Sequence, residues 1–213
     1  MKLGFSSAGG RDMNLLGIVA GAMMIVLPFL GPWWIATVGT GAMEVALSPF
    51  DFSMTFLGMP LTSQLISYFL LAEKILMILV GVLMVIGSIS PKSARSKLFV
   101  RFGVMKPFWA ILGLIIIIVI GTFVFNNLLP NFISDMAGAG TSVQMHIPYL
   151  VGTANSVIQA GSQATIVASI TLSFTLAFWV AVVTAALAIG GNMIQRRINK
   201  QAQSELTKRR ILT

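Results

Sequence analysis

The chain has 213 residues, of which 56% are hydrophobic and only 9% are charged, and its mean hydropathy is +0.91. These values lie far outside the range of soluble domains, so the sequence predicts an integral membrane protein. The formal net charge is +8, but the basic residues cluster beside apolar segments, which argues against nucleic acid as a partner. The absence of cysteine excludes disulfides from the loops.

Four apolar segments are each near or above the ~20 residues that a bilayer requires. They cover residues 13–30, 62–89, 108–129 and 166–190. The expected fold is an all-α membrane protein with one domain over residues 1–213, in which four transmembrane helices form a bundle. The two outer loops, at about residues 31–61 and 130–165, are expected to form a small extracellular β-structure.

Lysine and arginine precede the first apolar segment, separate the second from the third, and follow the fourth, whereas the loops at 31–61 and 130–165 contain neither residue. Cytoplasmic loops carry an excess of these residues, so the pattern predicts a multi-pass protein of the cell membrane with both termini in the cytoplasm. A signal peptide is the alternative for the first segment, which is, however, longer than a typical signal core of about 7 to 15 residues.

The first apolar segment contains Gly17 and Gly21, a GxxxG pair that permits close approach of two helix backbones. We expect this pair to pack against the last helix. Trp33 and Trp34 follow the segment at the place where an interfacial aromatic belt is expected, and are predicted to anchor the chain at the membrane surface.

The first outer loop has the pattern of a half-buried strand. Residues Phe50 to Phe56 alternate between apolar and polar side chains, and Trp34 to Val38 is rich in residues that favour strands. Glycines and prolines between these stretches indicate turns. We therefore expect this loop to form a β-structure over the bundle.

Glu73 and Lys74 are the only ionisable residues in any predicted span. Lys74 precedes Pro91 by 17 residues, which is about 26 Å along a helix and close to the opposite edge of a ~30 Å hydrocarbon core. An interfacial position, from which Lys74 extends to the headgroups, is favoured over a proton or ion site.

Basic side chains in the middle loop and after the last span are predicted to contact the headgroups of an anionic inner leaflet at about 1 kcal/mol each. They are Lys92, Arg95, Lys97, Arg101, Arg196, Arg197 and Lys200.

The second outer loop alternates apolar and polar residues from Val143 to Ile147, which predicts one short strand. From Thr153 onward the pattern is interpreted as helical, continuing into the fourth span. His146 is the only histidine, and without cysteine or a second histidine neither a metal site nor a cofactor is expected.

The fourth segment carries a small residue at every fourth position, which on a helix forms a groove for another helix. This small-residue ladder consists of Gly161, Thr165, Ser169, Ser173, Ala177, Ala181 and Ala185. Packing within one chain and pairing between chains are both compatible with it.

The span order, together with a strand-like first outer loop that begins after Gly31-Pro32-Trp33-Trp34, resembles the claudin and peripheral-myelin-protein architecture. Tetraspanins share this topology but concentrate their outer structure in the second loop. The resemblance implies a non-enzymatic protein that associates laterally or across membranes through its outer domain.

The sequence contains no catalytic constellation, and an enzyme is not expected. The leading hypothesis is a tetraspan scaffold, adhesion or envelope-organising protein that forms a homo-oligomer or binds other membrane proteins. One alternative is a pore or membrane-permeabilising protein lined by Thr165, Ser169, Ser173 and Thr175 from several copies. Another alternative is an accessory subunit of a larger membrane complex.

Overall fold

The computed structural model describes residues 13–39, 41–61, 63–91, 93, 95–128, 141–144, 147–160 and 164–211. Within these ranges the chain is mostly helical and also contains an antiparallel sheet. The α-helices are α1 (Leu15–Val26), α2 (Gln64–Ile89), α3 (Ser96–Asn127) and α4 (Leu176–Ile211), and a 3-10 turn (Leu27–Phe29) follows α1.

Three of these helices are long and apolar enough to cross a membrane: α2, α3 and the Leu176–Gln201 part of α4. The apolar helix Leu15–Phe29 is shorter. Three of the four expected segments therefore correspond to such helices, although α3 begins at Ser96 and not near residue 108, and α4 begins at Leu176 and not near residue 166. The first is shorter than expected because the α-helix gives way to a 3-10 turn around Pro28, which has no backbone N–H to continue the helical hydrogen bonds.

The sheet has seven strands, in the order β4-β3-β2-β1-β7-β6-β5, with every neighbouring pair antiparallel. The strands are β1 (Trp34–Val38), β2 (Met43–Leu47), β3 (Phe52–Phe56), β4 (Met59–Leu61), β5 (Thr141–Gln144), β6 (Gly152–Ala160) and β7 (Ala164–Phe174). The β-structure expected in residues 31–61 is present as β1 to β4, although the sequence indicated strands only at β1 and β3. The sheet is larger than the expected small β-structure, and the all-α assignment is wrong to that extent.

The prediction for the start of the fourth span is wrong. Residues 153–160 and 164–174, interpreted as helical, form most of β6 and all of β7, and α4 begins only at Leu176. The physical reason is visible in Ser169 to Phe174, where polar and apolar residues alternate strictly and strand-favouring Ile and Thr are frequent. A spacing of four residues is also a multiple of the strand period of two, so the ladder is compatible with a strand as well as with a helix.

The chain divides into two compact units. Unit 1 comprises Met1–Leu27, Leu76–Phe108 and Val183–Thr213, and unit 2 comprises Pro28–Ile75 and Trp109–Val182. Among the described residues, the regular elements of unit 1 are all helical, and unit 2 contains the sheet.

In unit 1, glycines bring helix backbones into contact. A Cβ at Gly21 would lie 2.8 Å from the carbonyl oxygen of Gly81 on α2, and a Cβ at Gly191 on α4 would lie 2.9 Å from Gly17 Cα. The predicted contact between the first and last helices is therefore present. It is made through Gly191 on the α4 side, and α2 is the second partner of the GxxxG pair.

Buried polar side chains connect the same helices at one end of unit 1. Asn14 Nδ2 donates to the carbonyl oxygen of Gly191 (2.6 Å) and to Gln195 Oε1 (3.2 Å). Gln195 Nε2 in turn donates to the carbonyl oxygen of Pro91 (2.9 Å) and to Ser96 Oγ (2.6 Å). Because buried amides are costly without partners, this network fixes how the helix ends fit together.

Candidate functional site

The sheet in unit 2 has one apolar face, whose side chains follow directly from strand register. Ala36 on β1 pairs with Val45 on β2 and Leu172 on β7, and Val45 pairs with Met54 on β3. Residues directly opposite each other project to the same face. The apolar face therefore runs unbroken across four strands.

Hydroxyl groups dominate the opposite face. Its central row crosses five strands and contains one carboxylate. In order, the row is Thr153, Thr171, Thr37, Glu44 and Thr55. An antiparallel sheet with one apolar and one polar face is built to be covered on the apolar side only.

At the β4 edge of the sheet the apolar face continues but is not covered. Phe56 pairs with Met43 and with Met59, and Leu61 pairs with Met54, so these side chains share the apolar face. Their exposed fractions are 51% for Phe56, 71% for Met59 and 47% for Leu61. With Leu57, which is 66% exposed in the turn between β3 and β4, they form the hairpin surface.

The turn that presents the hairpin surface is strained. Leu57 has a φ of 50° and Gly58 a φ of 77°, which is the left-handed pair that a two-residue hairpin of type I′ requires. A bulky residue is rare in this conformation, at a cost of about 1–2 kcal/mol. The Leu57 N–H donates to the carbonyl oxygen of Ala42 at 2.7 Å, which holds the turn against the preceding loop.

The edge of β4 is unsuited to extending the sheet. β4 is three residues long and contains Pro60, which has no N–H to donate to a further strand. Association at this edge must therefore use the apolar side chains of the hairpin surface.

The structure assigns the small-residue ladder to two different elements. Thr165, Ser169 and Ser173 lie on β7, and Gly161 lies outside the described residues. Ala177, Ala181 and Ala185 lie on α4 and are buried. The predicted seven-residue helical groove is therefore wrong, and the residues expected to line a pore lie on the sheet or, in the case of Thr175, between β7 and α4.

Trp33 and Trp34 are both buried, so neither is exposed as an interfacial anchor must be. The Trp33 ring contacts Phe50 edge-on at 5.5 Å between centroids and Phe178 at 6.4 Å, and its Nε1 has no hydrogen-bond partner in the part of the chain that the structure describes. The indole of Trp34 donates to the carbonyl oxygen of Leu150 at 2.8 Å. Trp34 lies on the apolar face of β1 and Trp33 directly precedes the strand, and both side chains are part of the core of unit 2.

Glu73 and Lys74 are half-buried on α2. Lys74 Nζ lies 5.7 Å from the centroid of the Phe29 ring, within the range of a cation–π contact. Among the described residues, no group of three or more His, Asp or Glu side chains could hold a metal ion, and His146 lies outside these residues.

Every described member of the predicted headgroup-binding set is exposed, and Lys92 lies outside the described residues. The exposed members are Arg95, Lys97, Arg101, Arg196, Arg197 and Lys200.

Sequence reasoning missed the amide of Asn126 at the end of α3. Its Nδ2 donates to the carbonyl oxygen of Ile147 at 2.9 Å, and its Oδ1 accepts from the Ile147 N–H at 2.8 Å. It also missed the uncovered apolar edge, although Phe56-Leu57 and Met59 beside a Gly58 turn are a readable signal of an exposed apolar hairpin.

Comparisons of the chain with protein-family models, with curated proteins and with solved structures found no match.

Proposed function

We propose that the protein is a non-enzymatic membrane protein that associates laterally with further copies of itself through the hairpin surface. The observation that carries the proposal is the uncovered end of the apolar face, at Phe56, Met59 and Leu61. Exposed apolar patches of this kind mark interaction sites on soluble and membrane-anchored domains. The strain at Leu57 supports the same reading, because strained turns persist where they present a functional group.

The proposal includes the topology of a four-span protein. In addition to the three long apolar helices, α1 with its 3-10 turn, Leu15–Phe29, is proposed to cross the membrane as the first span. The positions of Lys and Arg support cytoplasmic termini in a cell membrane. The exposed basic side chains of unit 1 would then lie against anionic headgroups of the inner leaflet. The proposal also includes a likeness, in topology alone, to the claudin architecture, with one sheet that joins strands from both loops expected to face outward.

A second copy is the favoured partner because the hairpin surface carries no charge. Its four side chains are all apolar, so a self-complementary contact places no like charges opposite one another. Twofold-symmetric dimers are the commonest homo-oligomers, and their interface uses the same surface patch on both subunits.

Cysteine cross-linking in native membranes tests the proposal, because the chain has no cysteine of its own. Met59→Cys lies on the hairpin surface, and Ser53→Cys, exposed on the opposite face of β3, is the matched control. We expect a homodimer band with Met59→Cys and none with Ser53→Cys. A band at the mass of the chain plus another protein would instead indicate an accessory subunit, and no band with either variant would contradict the proposal.

A further inference from the structure

A cavity of about 290 Å³ lies within unit 2 between the apolar face of the sheet and α3. Trp34, Val45 and Met54 contribute from the sheet, and Ile117, Gly121 and Phe125 contribute from α3. The volume is about twice that of an engineered apolar cavity of ~150 Å³ that stays dry and binds benzene. The space is therefore sufficient for part of a larger apolar molecule.

The walls offer nothing to a polar ligand. No charged side chain lines the cavity, and the two polar side-chain atoms in its wall already have partners. Trp34 Nε1 donates to Leu150 at 2.8 Å, and Thr122 Oγ1 donates to the carbonyl oxygen of Tyr149 at 3.3 Å. A polar group that entered would lose its hydrogen bonds to water without replacement, which costs several kcal/mol.

Gly121 leaves part of the cavity wall open. A Cβ at this position would meet no atom within 4 Å, although its neighbour Thr122 is buried. The space beside the Gly121 backbone therefore belongs to the cavity and is available to an occupant.

Two residues of the cavity wall also belong to the exposed surface of α3, a helix that is long and apolar enough to cross a membrane. Ile117 and Phe125, both in the cavity wall, are 60% and 42% exposed. Ile116 and Ile120 extend the same exposed apolar surface along α3. A hydrocarbon chain that lies along this surface of α3 therefore meets apolar side chains up to the cavity wall.

We propose that this cavity binds part of a hydrocarbon chain of a membrane lipid. The lipid headgroup stays outside, because the walls provide no hydrogen-bonding or charged group for it. Across an empty cavity the sheet and α3 would lack van der Waals contacts. The bound hydrocarbon chain supplies these contacts and so fixes the distance between the sheet and α3.

The test measures quenching of tryptophan fluorescence by phospholipid brominated on its acyl chains, in vesicles containing the full chain. The signal of Trp34 is the difference between the unchanged protein and Trp34→Phe. Gly121→Phe fills the cavity, and Gly113→Phe is the matched control, since Gly113 lies on the same helix with no atom within 4 Å of its Cβ but outside the cavity wall.

We expect quenching of Trp34 in the unchanged protein and in Gly113→Phe, and a loss in Gly121→Phe that corresponds to about tenfold weaker binding. Equal quenching in both glycine variants, or no quenching of Trp34, would overturn the proposal. Quenching by free brominated fatty acid but not by brominated phospholipid would also overturn it, because it would assign the site to a free chain.

A second measurement covers the case in which Gly121→Phe fails to fold. Native mass spectrometry of protein released from membranes counts retained lipid in the unchanged chain, in Gly121→Leu and in Gly113→Leu. Lipid retained by the unchanged chain and by Gly113→Leu but lost from Gly121→Leu supports the proposal. Retention that is the same in all three contradicts it.

Discussion

The side-chain amide of Asn126 pairs with the backbone of Ile147 through two hydrogen bonds, of 2.9 Å and 2.8 Å, in the manner of a neighbouring strand. Asn126 lies at the end of α3, and Ile147 lies in the segment between β5 and β6 and lines the apolar cavity. The Asn126 side chain thus joins α3 to the segment around Ile147, which forms part of the cavity wall.

Substitution Asn126→Leu should lower the free energy of unfolding by about 1–3 kcal/mol, because it leaves the N–H and carbonyl of Ile147 without partners. The measurement is the unfolding midpoint in detergent. Asn127→Leu is the control, since Asn127 is exposed and its Nδ2 donates within the same helix, to the carbonyl oxygen of Phe123. Equal effects of the two substitutions would refute a special role for the pair.

Gln195→Leu should destabilise unit 1 by about 1–3 kcal/mol, because it removes both donors to Pro91 and Ser96 and the acceptor for Asn14. Hydrogen exchange at the start of α1 and around Gln195 in α4 should rise with it. Gln201→Leu changes an exposed residue of the same helix and should leave both quantities unaltered. If the two variants behave alike, the buried hydrogen bonds of Gln195 do not stabilise unit 1.

Gly21→Ala should be destabilising by about 1–3 kcal/mol, because the new methyl would lie 2.7 Å from Val85 Cγ2 and 2.8 Å from the Gly81 carbonyl oxygen, which belongs to the backbone and cannot rotate away. Gly113→Ala meets nothing within 4 Å and should be neutral or stabilising by up to about 1 kcal/mol through helix propensity. The measurement is the thermal unfolding of both variants, compared with the unchanged protein. A neutral Gly21→Ala would contradict the close crossing of α1 and α2.

Leu57→Asn should raise stability and lower self-association at the same time. Asparagine tolerates a φ of 50° better than leucine, so about 1 kcal/mol of strain is removed, while an exposed apolar side chain is lost from the hairpin surface. Unfolding and cross-linking through Met59→Cys are measured on the same variant. Lower stability would show that Leu57 is held by packing that outweighs its strain.

The sequence predicted the parts of the fold that have a local signal. β1 was recognised over Trp34 to Val38, and β3 lies within the alternating stretch from Phe50 to Phe56, because the period of two is preserved there. α2 and α3 were recognised as long apolar runs.

The ladder failed because its spacing fits two structures. A step of four keeps a residue on one face of a strand and also near one face of a helix, and the apolar residues between the rungs decide which one forms. In β7, Ile170 and Leu172 alternate with Ser169, Thr171 and Ser173, which selects the strand. The choice was readable from the sequence but was obscured by the continuous hydrophobicity into α4.

The pairing of Asn126 with Ile147, the Asn14–Gln195 network and the lipid-chain cavity had no local signal. Each depends on side chains that are far apart in sequence, and a polar residue at a helix end predicts a cap as readily as a long-range bond. Such sites follow only from the register of the strands and the contacts of the helices.

The most direct test of lateral association is energy transfer between copies labelled with donor or acceptor at Gln201→Cys and mixed in native-like membranes at low density. Met59→Lys introduces a charge into the hairpin surface, and Ser53→Lys introduces the same charge on the opposite face of β3. Transfer is expected for the unchanged surface and for Ser53→Lys, and is expected to fall to the level of random collisions for Met59→Lys. Transfer that persists in Met59→Lys, or that is absent from the unchanged surface, would contradict association through the hairpin.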